Sequence, residues 1–212
     1  MRIAYLILTC ERYHTTRVDW QRSTVFKNIP AEDLYYLGHK HDPANRFFSW
    51  GAPDDYRNLP YKFHDCFKYM DISGYDWYVL IDDDTYVYHD RMVEHLSLYR
   101  QDKPIGIGRR LDHIGHTKWG YYLSGGAGTA LSADLYHRMC RYIRTHLPGE
   151  VVRHWCADIC LSLWLRDVGG HMIHCDQFHA DVYNIKRDKL NTAITFHHLK
   201  DESDFIAHEA LV

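Results

Sequence analysis

Asp76-Trp77-Tyr78-Val79-Leu80-Ile81-Asp82-Asp83-Asp84-Thr85-Tyr86-Val87 is the run on which the reading of the fold turns. Trp77 to Ile81 are consecutive apolar or aromatic residues of types that favour strands, so they are predicted to form a buried strand. That strand runs straight into three carboxylates. In open α/β sheets ligands gather beyond the carboxyl ends of the strands. In extended backbone Asp82 and Asp84 point one way and Asp83 the other. Three carboxylates this close repel one another unless a cation, a hydrogen-bond network or protonation relieves them. Oxygen ligands suit Mn²⁺ and Mg²⁺, which keep positions open for phosphate oxygens, so the cluster is a candidate to hold such an ion against a diphosphate. The alternative is a solvated acidic turn at a strand end.

Outward from this run, strands and helices alternate. Ile3 to Thr9 is predicted as a core strand and Glu11 to about Lys27 as a helix; Leu34 to Leu37 is a short second strand. His39 to Asp55 carries Pro43, Gly51 and Pro53 and reads as a long loop, a candidate mobile or binding element. Leu59, Phe63, Phe67 and Met70 recur at helical spacing, with Pro60 in the first turn. Beyond the acidic run, Tyr86 to Tyr88 is a short strand, and Asp90 is expected to cap a helix lined by Met92, Val93, Leu96 and Tyr99. Pro104 to Gly108 is a further strand. Ser132 is expected to cap a helix reaching about His146, and a helix from about Ala157 to Val168 stops at Gly169-Gly170. From Met172 onward the one strand-like run is Asn191 to Phe196. This alternation predicts an α/β fold: one domain over 1–212, with a mixed, mostly parallel sheet and helices on both faces.

Bulk composition narrows the function classes. The 212 residues suffice for one sizeable core, and 46% hydrophobic with 25% charged residues is ordinary for a globular protein. A formal net charge of -3 offers no electrostatic case for nucleic acid or an anionic membrane. No apolar run approaches the roughly 20 residues that cross a bilayer. The start, Met1 to Cys10, holds a short apolar stretch, is followed at once by Glu11 and Arg12 and reads as a strand rather than a signal peptide, so a cytoplasmic location is expected. The six cysteines lack the spacing of a disulfide scaffold or zinc ribbon and are expected to be reduced thiols.

Three further stretches carry chemistry. Tyr121-Tyr122-Leu123-Ser124-Gly125-Gly126-Ala127-Gly128-Thr129 lets backbone approach a ligand closely, but is neither a Walker A loop nor GxGxxG; alone, it is equally a turn before a helix. Asp158 opens the otherwise apolar stretch Cys156-Ala157-Asp158-Ile159-Cys160-Leu161, where a carboxylate near a helix N-terminus needs no further reason. In Thr195-Phe196-His197-His198 a strand-like run ends in two imidazoles, which ligate Mn²⁺ as well as zinc but are more often simply hydrogen-bonded.

Together, in this order, the pieces resemble the inverting β-1,3-glycosyltransferases of the GT-A fold, a family that includes fringe and the core 1 galactosyltransferase. The resemblance extends from about Ile3 to His198. Asp82-Asp83-Asp84-Thr85-Tyr86-Val87 is similar to the family's DDDxYV motif, and Ser124-Gly125-Gly126-Ala127-Gly128 to its glycine segment. Asp55-Tyr56-Arg57-Asn58-Leu59-Pro60-Tyr61-Lys62 is similar to DxYxNLxxK, and Phe196-His197 to the late FH. The resemblance implies Asp84 and His197 as metal ligands, with Mn²⁺ or Mg²⁺ as cofactor. It implies that Asp82 and Asp83 contact the metal's waters or the donor, that Lys62 lies near the nucleotide, and that Asp158 is the catalytic base. Two departures surround Asp158: Ala157 replaces a usual acidic residue and Ser162 a usual glycine. The implied partners are a nucleotide-sugar donor, UDP-linked, and a glycan or glycoprotein acceptor. Residues 1–100 would form the donor half and 101–212 the acceptor half, with Trp119, Tyr121, Tyr122, Gly125 and Gly126 toward the acceptor. A binding protein of the same fold without transferase activity is the alternative, and a metal-dependent phosphohydrolase a third reading.

Overall fold

The computed structural model describes residues 1–70, 72–112, 120–180 and 190–211. Its centre is a seven-stranded sheet in the order β10-β6-β9-β4-β1-β2-β3. The strands are β1 (Ile3–Leu8), β2 (Leu34–Leu37), β3 (Phe47–Phe48), β4 (Trp77–Asp82), β6 (Ile105–Gly108), β9 (Thr129–Ser132) and β10 (His171–His174). β4 and β1 pair in parallel from Ile3 against Trp77 to Leu8 against Asp82. Only β9 runs antiparallel to its neighbours, β4 and β6, so the sheet is mixed and mostly parallel, as expected. A small sheet, β11 (Phe178–His179), β12 (Thr195–Phe196) and β5 (Tyr86–Val87), and a ribbon of β7 (Arg110–Asp112) with β8 (Tyr121–Leu123), complete the strands.

Strand alternation divides the core in two. Ile3, Tyr5 and Ile7 of β1 and Trp77, Val79 and Ile81 of β4 face one layer, holding Val18, Met92, Phe196 and Phe205. Ala4, Leu6, Leu8, Tyr78 and Leu80 face the other, packed by α2 (Leu59–Tyr69), α4 (Ala133–Thr145) and α6 (Ala157–Asp167) through Phe63, Phe67, Leu135, Met139 and Trp164. Tyr78 and Tyr136 stack at 3.6 Å across that interface. Helices therefore cover both faces. With both faces buried, the strands are continuously apolar, which is why β4 is so readable.

Local departures have local causes. The helix expected over 11–27 is a 3-10 turn at Glu11–Tyr13 and then α1 (Arg17–Ser23), because Thr16 leaves helical geometry at φ -135°, ψ -94°. Asp90 does not cap α3 (His89–Leu96): Tyr88 stands before it and Asp90 lies in the first turn. Ser132 does cap α4, accepting from Leu135 N–H at 3.3 Å. The short α5 (Pro148–Val151) leads toward α6. The tail forms a helix that no run of apolar residues announced, α7 (Glu202–Glu209), capped by Asp201. All six cysteines are free thiols, and among the described residues no helix is long and apolar enough to cross a membrane.

Candidate active site at the strand ends

β4 ends at Asp82, and the chain turns there, Thr85 N–H donating to the Asp82 carbonyl at 3.2 Å. Gln21, fully buried on α1, clamps the turn by donating to the carbonyls of Asp82 (3.1 Å) and Thr85 (3.0 Å). The three carboxylates part company as strand alternation implied. Asp82 and Asp84 both face His197 Nε2, at 3.5 and 3.2 Å. Asp83 turns into a buried niche, accepting from Thr9 Oγ1 at 2.8 Å and from Arg17 at 3.0 Å, and Arg17 also reaches Asp84 at 3.3 Å.

Burial and these partners set the charge states. For Asp83, burial outweighs Thr9 and Arg17 and lifts the pKa to about 6. Asp84 is buried too, but hydrogen bonding and charge from His197, with Arg17, prevail and hold it below the ordinary carboxylate value. Burial opposes charge on His197 as well, yet hydrogen bonds to Asp82 and Asp84 raise its pKa to about 10. An imidazolium between two carboxylates occupies the electrostatic place of a cation.

Whether these residues fit a divalent ion can be judged from His197. Its Nδ1 donates to the Ala180 carbonyl at 3.2 Å, which turns Nε2 toward the carboxylates. Metal-binding imidazoles are commonly oriented through the far nitrogen in this way. Gly126 makes room for the ring: a Cβ there would lie 2.2 Å from it. Asp84, His197 and the adjacent His198 each offer a ligand atom, all within 4.8 Å of one another. A donor set of carboxylate and imidazole fits Mn²⁺ and similar first-row ions.

Asp158, in the first turn of α6, lines a cavity that Asp82 and His197 also border. Burial raises its pKa to about 6 against the Gly125 backbone N–H, which favours the carboxylate. A Cβ at Gly125 would lie 2.6 Å from Asp158 Oδ1. The adjacent glycines thus seat the two key side chains, Gly125 under Asp158 and Gly126 under His197. Of the two departures, Ala157 is buried in the apolar layer. Ser162 accepts from Leu123 N–H at 3.0 Å and ties β8 to α6.

Two cavities meet here. One, of about 490 Å³, is lined by Arg12, Tyr13, Arg17, Lys62, Asp83 and Asp84 among others. The second, of about 200 Å³, holds Asp158, Gly125, Gly126 and Trp155. Asp82, Tyr56, His197 and His198 border both. A larger cavity of about 720 Å³ contains none of these groups and opens by Ile3, at the start of β1. Lys62 lines the first cavity, but its ammonium is committed, donating to the Thr9 carbonyl at 2.8 Å and pairing with Asp54. Tyr122 lies on the Asp158 side, where burial and then the charge of Asp158 raise its pKa. Tyr121 is in the lining of neither cavity, and its ring lies 3.9 Å beneath the Arg110 guanidinium. Trp119 lies outside the described residues.

Sequence reading overlooked Arg17 and Gln21, which sat in a predicted helix without a distinguishing pattern. It quoted Tyr56 within the DxYxNLxxK match without giving it a role and passed over Trp155; the two are 71% and 57% exposed, and their rings lie 6.3 Å apart at the mouth of the smaller cavity. A Trp three residues before Asp158 was the available signal for the latter.

Residues 2–210 match the family model described as Fringe-like. The Xenopus laevis glycoprotein-N-acetylgalactosamine 3-beta-galactosyltransferase 1 is 40% identical over 83 residues, 39% of this chain and 22% of that protein. The Mus musculus beta-1,3-glucosyltransferase is 27% identical over 158 residues, 71% of this chain and 32% of that one. Chondroitin sulfate synthase 3 of Mus musculus is 22% identical over 223 residues, 90% of this chain and 25% of that one. The chain therefore spans a third or less of the length of these relatives. Among solved structures, a glycosyltransferase involved in the glycosylation of the major capsid of PBCV-1 aligns over 100% of both chains, with a TM-score of 0.55 and 11% identity. The galactosyltransferase LgtC aligns over 98% of this chain and 95% of its own, with a TM-score of 0.54 and 13% identity. At such identities the likeness is one of fold. With a match over nearly its whole length, the chain belongs to the Fringe-like family.

Proposed function

We propose that the protein is a metal-dependent inverting glycosyltransferase, moving a sugar from a UDP-sugar to a hydroxyl of a glycan or glycoprotein and forming a β-1,3 linkage. One observation carries the reading: Asp158 lines one cavity and Asp84 the adjoining one, with Asp82 and His197 bordering both and neighbouring glycines seating Asp158 and His197. Inversion needs a base and a leaving-group site that one sugar can reach together. The bond from the anomeric carbon to the diphosphate oxygen breaks on one side, its electron pair leaving with the diphosphate. The acceptor oxygen bonds to that carbon from the other side, and its proton passes to the Asp158 carboxylate. A bound divalent ion would supply charge neutralisation for the departing diphosphate. Arg17 adds fixed positive charge there and holds Asp83 and Asp84 in place.

The cavity of about 490 Å³ suits the donor and that of about 200 Å³ a single acceptor ring. Exposed Trp155 and Tyr56 suit the C–H face of a sugar. The whole described chain acts as one domain in this reading. Its donor side draws mainly on residues 1–100, with His197 added, and its acceptor side on 101–212, with Tyr56 added.

Incubation with a panel of UDP-sugars, Mn²⁺ and simple glycoside acceptors should release UDP in a reaction that EDTA stops. Absence of UDP binding by calorimetry with Mn²⁺ present would sink the reading. Metal-dependent UDP binding without turnover, unchanged in Asp158→Asn, would instead fit a binding protein, a reading favoured only by Ala157 standing where an acidic neighbour is usual.

A further inference from the structure

We infer that His198 is a third protein ligand of the metal, giving the ion one carboxylate and two imidazoles. This rests on the metal-dependent reading above and adds a residue that the DDD and FH resemblance does not supply. Successive side chains in extended backbone point to opposite faces, so two histidines in a row at a strand end should diverge. Here they converge. β12 stops at Phe196, and His198 takes a φ of +68°, in the left-handed region that side-chain-bearing residues seldom enter. Arg46 is the only other non-glycine among the described residues to do so.

The conformation is held from the next residue. Leu199 is buried, and its N–H donates to the Asp84 carbonyl at 3.0 Å, which ties this turn to the acidic turn itself. The result brings the His198 ring to 3.7 Å from that of His197, with a ligand atom of each within 4.8 Å of Asp84's. His198 also borders both cavities, so it faces the cleft. An uncommon backbone conformation maintained at a functional cleft points to a requirement on the side chain. Its consequence is metal choice. Imidazole nitrogen favours Mn²⁺ and later first-row ions, whereas Mg²⁺ prefers oxygen. A second imidazole therefore moves the site away from Mg²⁺.

The competing role is structural, with His198 merely stacking on His197. Pulsed electron paramagnetic resonance on Mn²⁺ added to the full chain separates the two, because it counts coupled imidazole nitrogens. Wild type should show two. His198→Phe keeps an aromatic stack and His198→Asn tolerates the left-handed backbone; each should show one. Mn²⁺ affinity should fall at least about tenfold in both, with a smaller loss for Mg²⁺. A single nitrogen in wild type, or two retained in either variant, overturns the assignment while leaving the metal-dependent reading intact. No Mn²⁺ binding by wild type overturns both.

Discussion

On the acidic wall of the cleft each carboxylate has a cation against it, whereas in the adjoining cavity Asp158 meets backbone N–H groups and a mouth of exposed rings. The acidic wall is braced from distant parts of the chain. Thr9 follows β1, Arg17 and Gln21 come from α1, and His197 follows β12. The cavity around Asp158 also draws on several segments, but Asp158 itself sits in the contiguous run Trp155 to Asp158, laid against Gly125. Under the proposed function the difference matches two demands. A site for a charged, metal-linked donor must be rigid before the donor arrives, because reorganising charges during reaction raises the barrier. A base needs a pKa lifted toward the working pH and an open approach; burial, with the charge of Asp82, lifts it against the opposing pull of Gly125 N–H and His197.

Separating the walls by substitution tests that contrast. The largest effect is expected from Asp158→Asn: turnover should fall about a thousandfold, while UDP binding in the presence of Mn²⁺, read by calorimetry, stays near wild type. If most of the rate survived, Asp158 would not be the base. Next come the paired glycines. Gly125→Ala places a Cβ 2.6 Å from Asp158 Oδ1, and displacement of the base should cost about a hundredfold in kcat with Mn²⁺ affinity kept. Gly126→Ala, 2.2 Å from the His197 ring, should do the reverse, weakening Mn²⁺ about tenfold or more. Equal effects of both on metal and turnover would erase the division between walls.

The pH profile should show the same asymmetry. Asp158 must be deprotonated to accept a proton, and its pKa is raised to about 6. kcat/KM should therefore be full above that value and fall about tenfold per pH unit below it. A flat profile down to pH 4 would contradict a base in this environment. The smallest effect belongs to the mouth: Trp155→Ala should raise the acceptor KM by up to about tenfold, the scale of one aromatic contact, with kcat little changed. A matching rise in donor KM would move Trp155 to the other cavity.

How much of this was legible in the chain depends on the range of the forces involved. β4, β1 and the apolar stripes of α2, α4 and α6 could be read because burial imposes a period on each element separately. The end of β4 could be read as a ligand-facing edge for the same reason. Other features had no such imprint. α7 buries only Phe205 and His208, too thin a stripe to stand out. Of the two-residue strands, β5 and β12 lie within runs read as strands, Tyr86 to Tyr88 and Asn191 to Phe196, whereas β11 owes its existence to pairing with β12. The break at Thr16 releases Arg17 and Gln21 to the acidic turn, a constraint set by residues far along the chain.

By itself the sequence determined which residue types were present for chemistry and which elements would bury their faces. Asp82-Asp83-Asp84 after a buried strand, Asp158 at a helix start and His197 after Phe196 are all local facts, and side-chain alternation already parted Asp83 from its neighbours. The tertiary structure decided what each one meets. It turned Lys62 into a brace between Thr9 and Asp54, set His197 between Asp82 and Asp84, and made Gly125 and Gly126 the floor beneath two walls. The physical reason is that periodicity and propensity act within a few residues. Ion pairing, desolvation and steric fit act through space, and these appear only when β1, β4, α1, α6 and β12 have come together.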